Sequence, residues 1–148
     1  MEQIVGSDAE DTALLQKMAI EARSYIEAFH WCPPITNFNL AFGVGGVVGL
    51  FLVEFDRNVS GTDDRLWVVT GDLPSAYFVL EDGENLGETL ERYCVLIWDW
   101  AETVLTSGDL AKVFPVAAEA SKNNARALKS RVNSLRELII PQAAVIDA

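Results

Sequence analysis

Cysteine, histidine and basic side chains are all scarce in this sequence, and each shortage removes a class of function. Two cysteines, Cys32 and Cys94, are too few and too far apart for a disulfide framework or a CxxC redox or zinc motif, and they suit a reducing cytoplasm. A zinc site needs roughly three or four ligands, and His30 is the single histidine. No metal and no cofactor is therefore expected. Eleven Lys and Arg stand against twenty-two Asp and Glu, a net charge of −11 that repels phosphate backbones and anionic lipid. Neither nucleic acid nor a membrane is an expected partner. Long apolar runs are missing too: the uncharged stretch 38–53 falls short of the ~20 residues of a bilayer span, and it holds Asn39 and four glycines. Residues 1–11 carry no basic residue, so no export signal is expected. Repeats, low-complexity tracts and interdomain linkers are absent as well. One globular domain over 1–148 is expected, with half the residues apolar and able to form a core.

What is present alternates between helical and strand periods. Ser7 and Glu10 have capping-box spacing, and Leu14, Met18, Ala22, Tyr25 and Phe29 follow at four- and three-residue steps. The pattern predicts an amphipathic helix ending near His30, ahead of Pro33 and Pro34. Residues 31–39 read as irregular. From 47 to 56 the chain is rich in β-branched and aromatic types, a strand covered on both faces for most of its length. Asn58, Ser60, Gly61, Asp63 and Asp64 supply turn chemistry before a second strand at 66–70. A turn at 71–75 leads to a third strand at 76–80. Connections this short favour antiparallel neighbours.

Two long helices complete the pattern. Asn85 and Glu88 sit at N-cap and N3 of a helix over 85–107, closed by Gly108. Its charged arc is Glu84, Glu88, Glu91, Arg92, Asp99 and Glu102, with Glu88 and Arg92 spaced for an i,i+4 pair; the rest of its surface is apolar. A short turn is expected at 109–114. A last helix over 119–139 carries the stripe Ala125, Leu128, Val132, Leu135 and Ile139 and stops before Pro141. Residues 142–148 are expected to fray. The fold class is thus α+β: a three-stranded antiparallel meander packed against an N-terminal helix and two long C-terminal helices.

Each polar constellation has a bland reading beside the functional one. The run Gly43-Val44-Gly45-Gly46-Val47-Val48-Gly49 superficially looks like a dinucleotide-binding loop, but a β-rich run follows it where a helix is required. A glycine-bearing strand start is the better reading. His30 and Cys32 form an H-x-C pair short of further ligands, better explained as a helix-terminal His and a buried Cys. Asp99 and Glu102, beside Trp98 and Trp100, have the spacing of an acid/base pair, yet they share a face with Glu88 and Glu91 that is ordinarily solvated. No catalytic residue is nominated. Lys122, Arg126, Lys129 and Arg136 fall on one face of the last helix, where the acidic surplus elsewhere offers them partners within the chain or a dimer. The loop 71–77 is the most suggestive feature, since Asp72 and Tyr77 near a rigid proline turn present polar groups at a sheet end.

The run Trp67-Val68-Val69-Thr70-Gly71-Asp72-Leu73-Pro74-Ser75-Ala76-Tyr77, the turn Trp31-Cys32-Pro33-Pro34 and the helical Trp98-Asp99-Trp100 resemble an uncharacterised family of small bacterial proteins. The resemblance covers most of the chain. It implies a bacterial, cytoplasmic setting and brings no activity or catalytic residues.

The leading expectation is a non-enzymatic, acidic cytosolic interaction domain, a homodimer whose surface meets a basic partner protein. Toxin-neutralising immunity proteins share that size and charge. The competing expectation is a small-molecule-binding protein or enzyme with a pocket among Trp31, Asp72, Tyr77 and Trp100.

Overall fold

A computed structural model describes residues 4–59 and 63–145. The expected turn residues Ser60 and Gly61, and the last three residues of the expected frayed tail, lie outside them. The fold is α+β, and the chain divides into two compact units, Met1–Asp82 and Gly83–Ala148.

In the first unit, helix α1 spans Ala9–Glu27, and Asp8 rather than Ser7 is its N-cap, accepting from the Asp11 N–H at 2.8 Å. Aspartate caps as well as serine. Ser7 serves a different carboxylate, its N–H and hydroxyl both donating to Asp11 Oδ2. The buried face is correspondingly Leu15, Met18, Ala19, Ala22 and Ile26, and Leu14, expected inside, is 37% exposed. The helix also stops at Glu27, short of His30, and the Cys32 N–H donates to the Phe29 carbonyl at 3.1 Å to turn the chain.

Four strands follow where three were expected: β1 Ile35–Val44, β2 Val48–Phe55, β3 Arg65–Gly71 and β4 Ala76–Phe78, a meander in chain order with every pair antiparallel. The extra strand is β1, which occupies much of the segment read as irregular. It converts the glycine run into a hairpin turn at 45–47, where the Val47 N–H donates to the Val44 carbonyl. A strand therefore leads into the glycine run, where residues 31–39 had read as irregular. Asp11 ties this turn to the start of α1, its Oδ1 accepting the Gly45 N–H at 2.6 Å. The backbone N–H groups of Ser7 and Gly45 hold this carboxyl below the usual carboxylate range, against a smaller opposing effect of burial.

One sheet face meets α1. Phe38, Phe51, Val53, Phe55, Leu66 and Val68 pack there with the inner face of the helix, Phe38 and Phe51 with ring centroids 5.2 Å apart. Burying each such side chain stabilises the unit by roughly 1.5–3 kcal/mol before ordering entropy is counted. On the other face Leu50, Trp67 and Val69 are buried as well, which is why β2 and β3 are apolar along both sides.

In the second unit, helix α2 spans Leu86–Leu105 with the expected capping box: Asn85 accepts from the Glu88 N–H and Glu88 from the Asn85 N–H. Its far end is a Schellman turn, with the Gly108 N–H on the Thr103 carbonyl (2.8 Å) and the Ser107 N–H on the Val104 carbonyl (3.3 Å). The left-handed position falls on Ser107, φ 56°, one residue before the glycine. A side chain there costs about 1 kcal/mol, so Ser107→Gly is expected to raise unfolding stability by about that much in urea titrations.

Helix α3, Lys122–Ser134, is capped by Ser121 and runs through a π turn at Leu135–Ile139 into α4, Ile140–Ala143. Pro141 was expected to end the helix and does not. Its missing N–H and its ring are accommodated because the ladder widens just ahead of it, the Ile140 N–H reaching back five residues to the Leu135 carbonyl. All five residues of the expected stripe, Ala125 to Ile139, are buried.

Ion pairs fasten α2 to this second arm. Arg136 grips Glu91 with two bonds of 2.8 and 2.7 Å, and Lys129 pairs with Glu102. Both cations also meet the Trp98 ring, at 4.3 Å for Lys129 Nζ and 5.4 Å for Arg136 Cζ. Half of the basic stripe thus finds its partners within the chain. Arg92 pairs with Glu84 rather than Glu88, because Glu88 is engaged at the N-cap. Arg92 and Thr89 both donate to Glu84, and together they outweigh its burial and lower its pKa.

Candidate functional site

The first unit gathers four aromatic side chains from three elements. Tyr25 comes from the last turns of α1, and Phe29 and Trp31 from the connection to β1. Tyr77 comes from β4, directly across from Val68 on the face that α1 covers. Because neighbours across a sheet share a face, that register aims Tyr77 at the helix end. Phe29 and Trp31 stack with ring centroids 5.2 Å apart, Tyr77 lies 5.2 Å from Trp31 and 5.1 Å from Phe29, and Tyr25 meets Phe29 edge-on at 5.3 Å. Offset and edge-to-face pairs of this kind each contribute roughly 0.5–1.5 kcal/mol beyond their burial. The cluster is a prepaid, stiff wall.

Against this wall opens a cleft of about 290 Å³ lined by Trp31, Val59, Leu66, Tyr77, Phe78 and Val79. Among the side chains of these residues the polar groups are the Trp31 indole N–H and the Tyr77 hydroxyl, and the rest is apolar, so the lining suits stacking on a ring more than binding charge. Tyr25, behind the wall, is kept protonated: burial, and then the neighbouring Tyr77, push its phenol up to about 12. Cys32, next to Trp31, has its thiol raised by burial and by Glu27, with Arg23 opposing, and it lies 3.3 Å from the Pro33 carbonyl. That thiol is a poor nucleophile at neutral pH.

Two of the four nominated residues, Trp31 and Tyr77, thus come together. Asp72 does not join them. It lies at the opposite end of β3, six residues beyond Leu66, or roughly 20 Å at the rise of a strand. Its backbone N–H donates to the Val47 carbonyl at 3.0 Å. The cleft is therefore at the Tyr77 end of the 71–77 loop. Trp100 belongs to the second unit, where it is 3% exposed in α2. Phe29, Val59, Leu66, Phe78 and Val79 were missed as site residues. The one signal for Phe29 was the crowding of three aromatics from Tyr25 to Trp31, of which helical spacing had assigned Tyr25 and Phe29 to the apolar face of the first helix. Asp99 is exposed, and Glu102 is paired with Lys129.

Among the described residues no group of three or more His, Cys, Asp or Glu is arranged to hold a metal ion, and no helix is long and apolar enough to cross a membrane. Comparison with protein-family models, curated proteins and solved structures gave no match.

Proposed function

We propose that the first unit is a binding domain whose cleft takes a small, planar, uncharged group against Trp31 and Tyr77. The observation that carries this reading is the convergence of those two rings, remote in sequence, on one wall of the cleft. A volume near the lower end of the ~300–1,000 Å³ of ligand sites suits a single ring system better than a large cofactor. Stacking supplies the affinity, and the indole N–H and phenol give orientation. The experiment is a ligand-detected NMR screen of indoles, benzimidazoles and naphthols, with hits confirmed by a raised melting temperature. Tyr77→Ala and Trp31→Ala should each weaken a hit at least tenfold, about 1.4 kcal/mol, while Asp72→Asn leaves it unchanged. Hits that ignore both aromatic substitutions, in variants that still melt cooperatively, would sink the proposal.

A second reading rests on charge. Residues 1–82 carry thirteen acidic and four basic side chains, a net charge of −9, which suits rapid, salt-sensitive association with a basic protein in the manner of immunity proteins. It ranks behind the cleft because charge names a class of partner and no particular surface. A pull-down whose partner is lost as salt rises supports it. Both readings sit with a cytoplasmic, bacterial setting and with two cysteines that are free thiols.

A further inference from the structure

We propose that the Asp82–Gly83 bond is a covalent modification site, at which the chain isomerises to an isoaspartyl linkage through a cyclic imide. Of the ten aspartates only Asp82 is followed by glycine, and no asparagine is. The reaction asks three things of a site. The side-chain carboxyl must have no competing partner, the next amide nitrogen must hold no hydrogen bond, and the backbone must let that nitrogen reach the carboxyl carbon. Glycine in the second position meets the last demand best, since it has no Cβ in the way and no steric bar to positive φ. Here both residues are exposed and lie between β4 and α2, outside every helix and strand. Gly83 has a φ of +76°, and nothing stands within 4 Å of a Cβ built on it. Among the described residues none pairs with the Asp82 carboxylate or accepts the Gly83 N–H. Other aspartates are held. Asp8, Asp11 and Asp109 accept backbone N–H groups, Asp56 binds Arg57, and Asp99 sits inside α2, where the next amide is committed to the helical ladder.

The Gly83 nitrogen attacks the side-chain carboxyl carbon of Asp82. A carbon–nitrogen bond forms, the N–H bond breaks, and one carboxyl oxygen leaves as water with the amide proton and a proton from solvent. Water then opens the five-membered imide. Attack at the side-chain carbonyl restores aspartate. Attack at the main-chain carbonyl breaks its bond to nitrogen, so the chain runs on through the Asp82 Cβ and the carboxylate stays on the Cα. Either opening returns one proton to solvent, so the water lost is regained and nothing is oxidised or reduced. The product keeps its charge and gains one methylene in the main chain at the boundary where the first unit ends and the second begins.

The test holds the whole folded chain for several weeks at neutral pH and physiological temperature in water enriched in heavy oxygen, then maps its peptides by mass in ordinary water. Each opening of the imide leaves one heavy oxygen in the peptide that carries Asp82. An isoaspartyl methyltransferase with labelled S-adenosylmethionine counts the isomerised fraction separately. The Asp82 peptide should take up heavy oxygen at least tenfold faster than any other aspartate peptide, and within tenfold of the isolated peptide 80–85, because the fold puts nothing in its way. Gly83→Ala, whose added carbon has room, should slow the uptake at least tenfold. Asp82→Asn forms the same imide with ammonia as the leaving group and should be at least tenfold faster. An Asp82 peptide that labels no faster than the rest, or more than tenfold slower than the isolated peptide, overturns the proposal, as does a Gly83→Ala chain that labels at the parent rate.

Discussion

Gly71→Ala is expected to destabilise the protein by at least ~3 kcal/mol, a large share of the ~5–15 kcal/mol that holds a domain folded. Two costs add at this position. Its φ of +149° lies in a region that L side chains rarely adopt, and a Cβ built there stands 2.2 Å from the Val47 carbonyl oxygen. That oxygen has little freedom to retreat. It accepts the Asp72 N–H at 3.0 Å, and the adjacent Val48 pairs with Gly71 as the last rung between β2 and β3. Relieving the clash therefore means breaking the rung, the Asp72 hydrogen bond, or both. Gly83→Ala is the control: its φ is +76°, but nothing lies within 4 Å of the added carbon. It should cost only about 1 kcal/mol, the backbone part alone. Urea unfolding of the two variants separates the contributions, and a Gly71→Ala loss no larger than the Gly83→Ala loss would show that the β2–β3 end is not packed this way.

The same corner shows how much of the fold could be read from sequence. Local signals read well. Asn85 and Glu88 form the capping box their spacing promised, the stripe from Ala125 to Ile139 is buried, and the strands run as an antiparallel meander. Elements governed by geometry at a distance read poorly. β1 escaped because its register shifts interrupt the two-residue period and because Thr36 and Asn37 are exposed, so its pattern resembles neither a core strand nor a helix. Its turn glycines were then read as the start of the strand that follows them. Pro141 was taken as a stop, although a π turn one step earlier lets the helix pass it.

The candidate site divides along the same line. Trp31 and Tyr77 were visible as aromatics on turns, where a large ring has no obvious core to enter. Nothing local said that they meet, since that depends on β4 pairing with β3 in the register that sets Tyr77 opposite Val68. Asp72 was nominated for chemistry that suits any turn, and its backbone N–H donates to the Val47 carbonyl there. Trp100 was nominated as one wall of a pocket, and it is buried within α2 of the second unit.

Raising the pH should destabilise this protein from about pH 9 upward, and much of the loss should disappear in Cys94→Ala. The Cys94 thiol is fully buried, and burial, followed by the nearby Glu91 and opposed by Arg136, pushes it up to about 12 from an ordinary value of 9.0. A thiol with a raised folded pKa keeps its proton after the unfolded chain has released its own. The unfolded state therefore binds fewer protons, and stability falls as pH rises, beginning at the unfolded value and ending near the folded one. The slope is about 1.4 kcal/mol per pH unit for one group. That amounts to a loss of about 1 kcal/mol by pH 10 and about 3 kcal/mol by pH 11. Tyr25 adds a loss of the same sign above its ordinary value of 10.0, smaller in effect because its ring is only half-buried. Cys94→Ala leaves a small cavity and should be the less stable protein at pH 7, by about 1–2 kcal/mol. It lacks the titrating thiol, however, so the gap should close near pH 10 and reverse by pH 11. Urea unfolding of both proteins at pH 8, 9, 10 and 11 reads this crossing. Parallel curves would mean that Cys94 titrates as it does in the unfolded chain, and a native thiol that reacts quickly with a disulfide reagent at pH 8 would independently say the same.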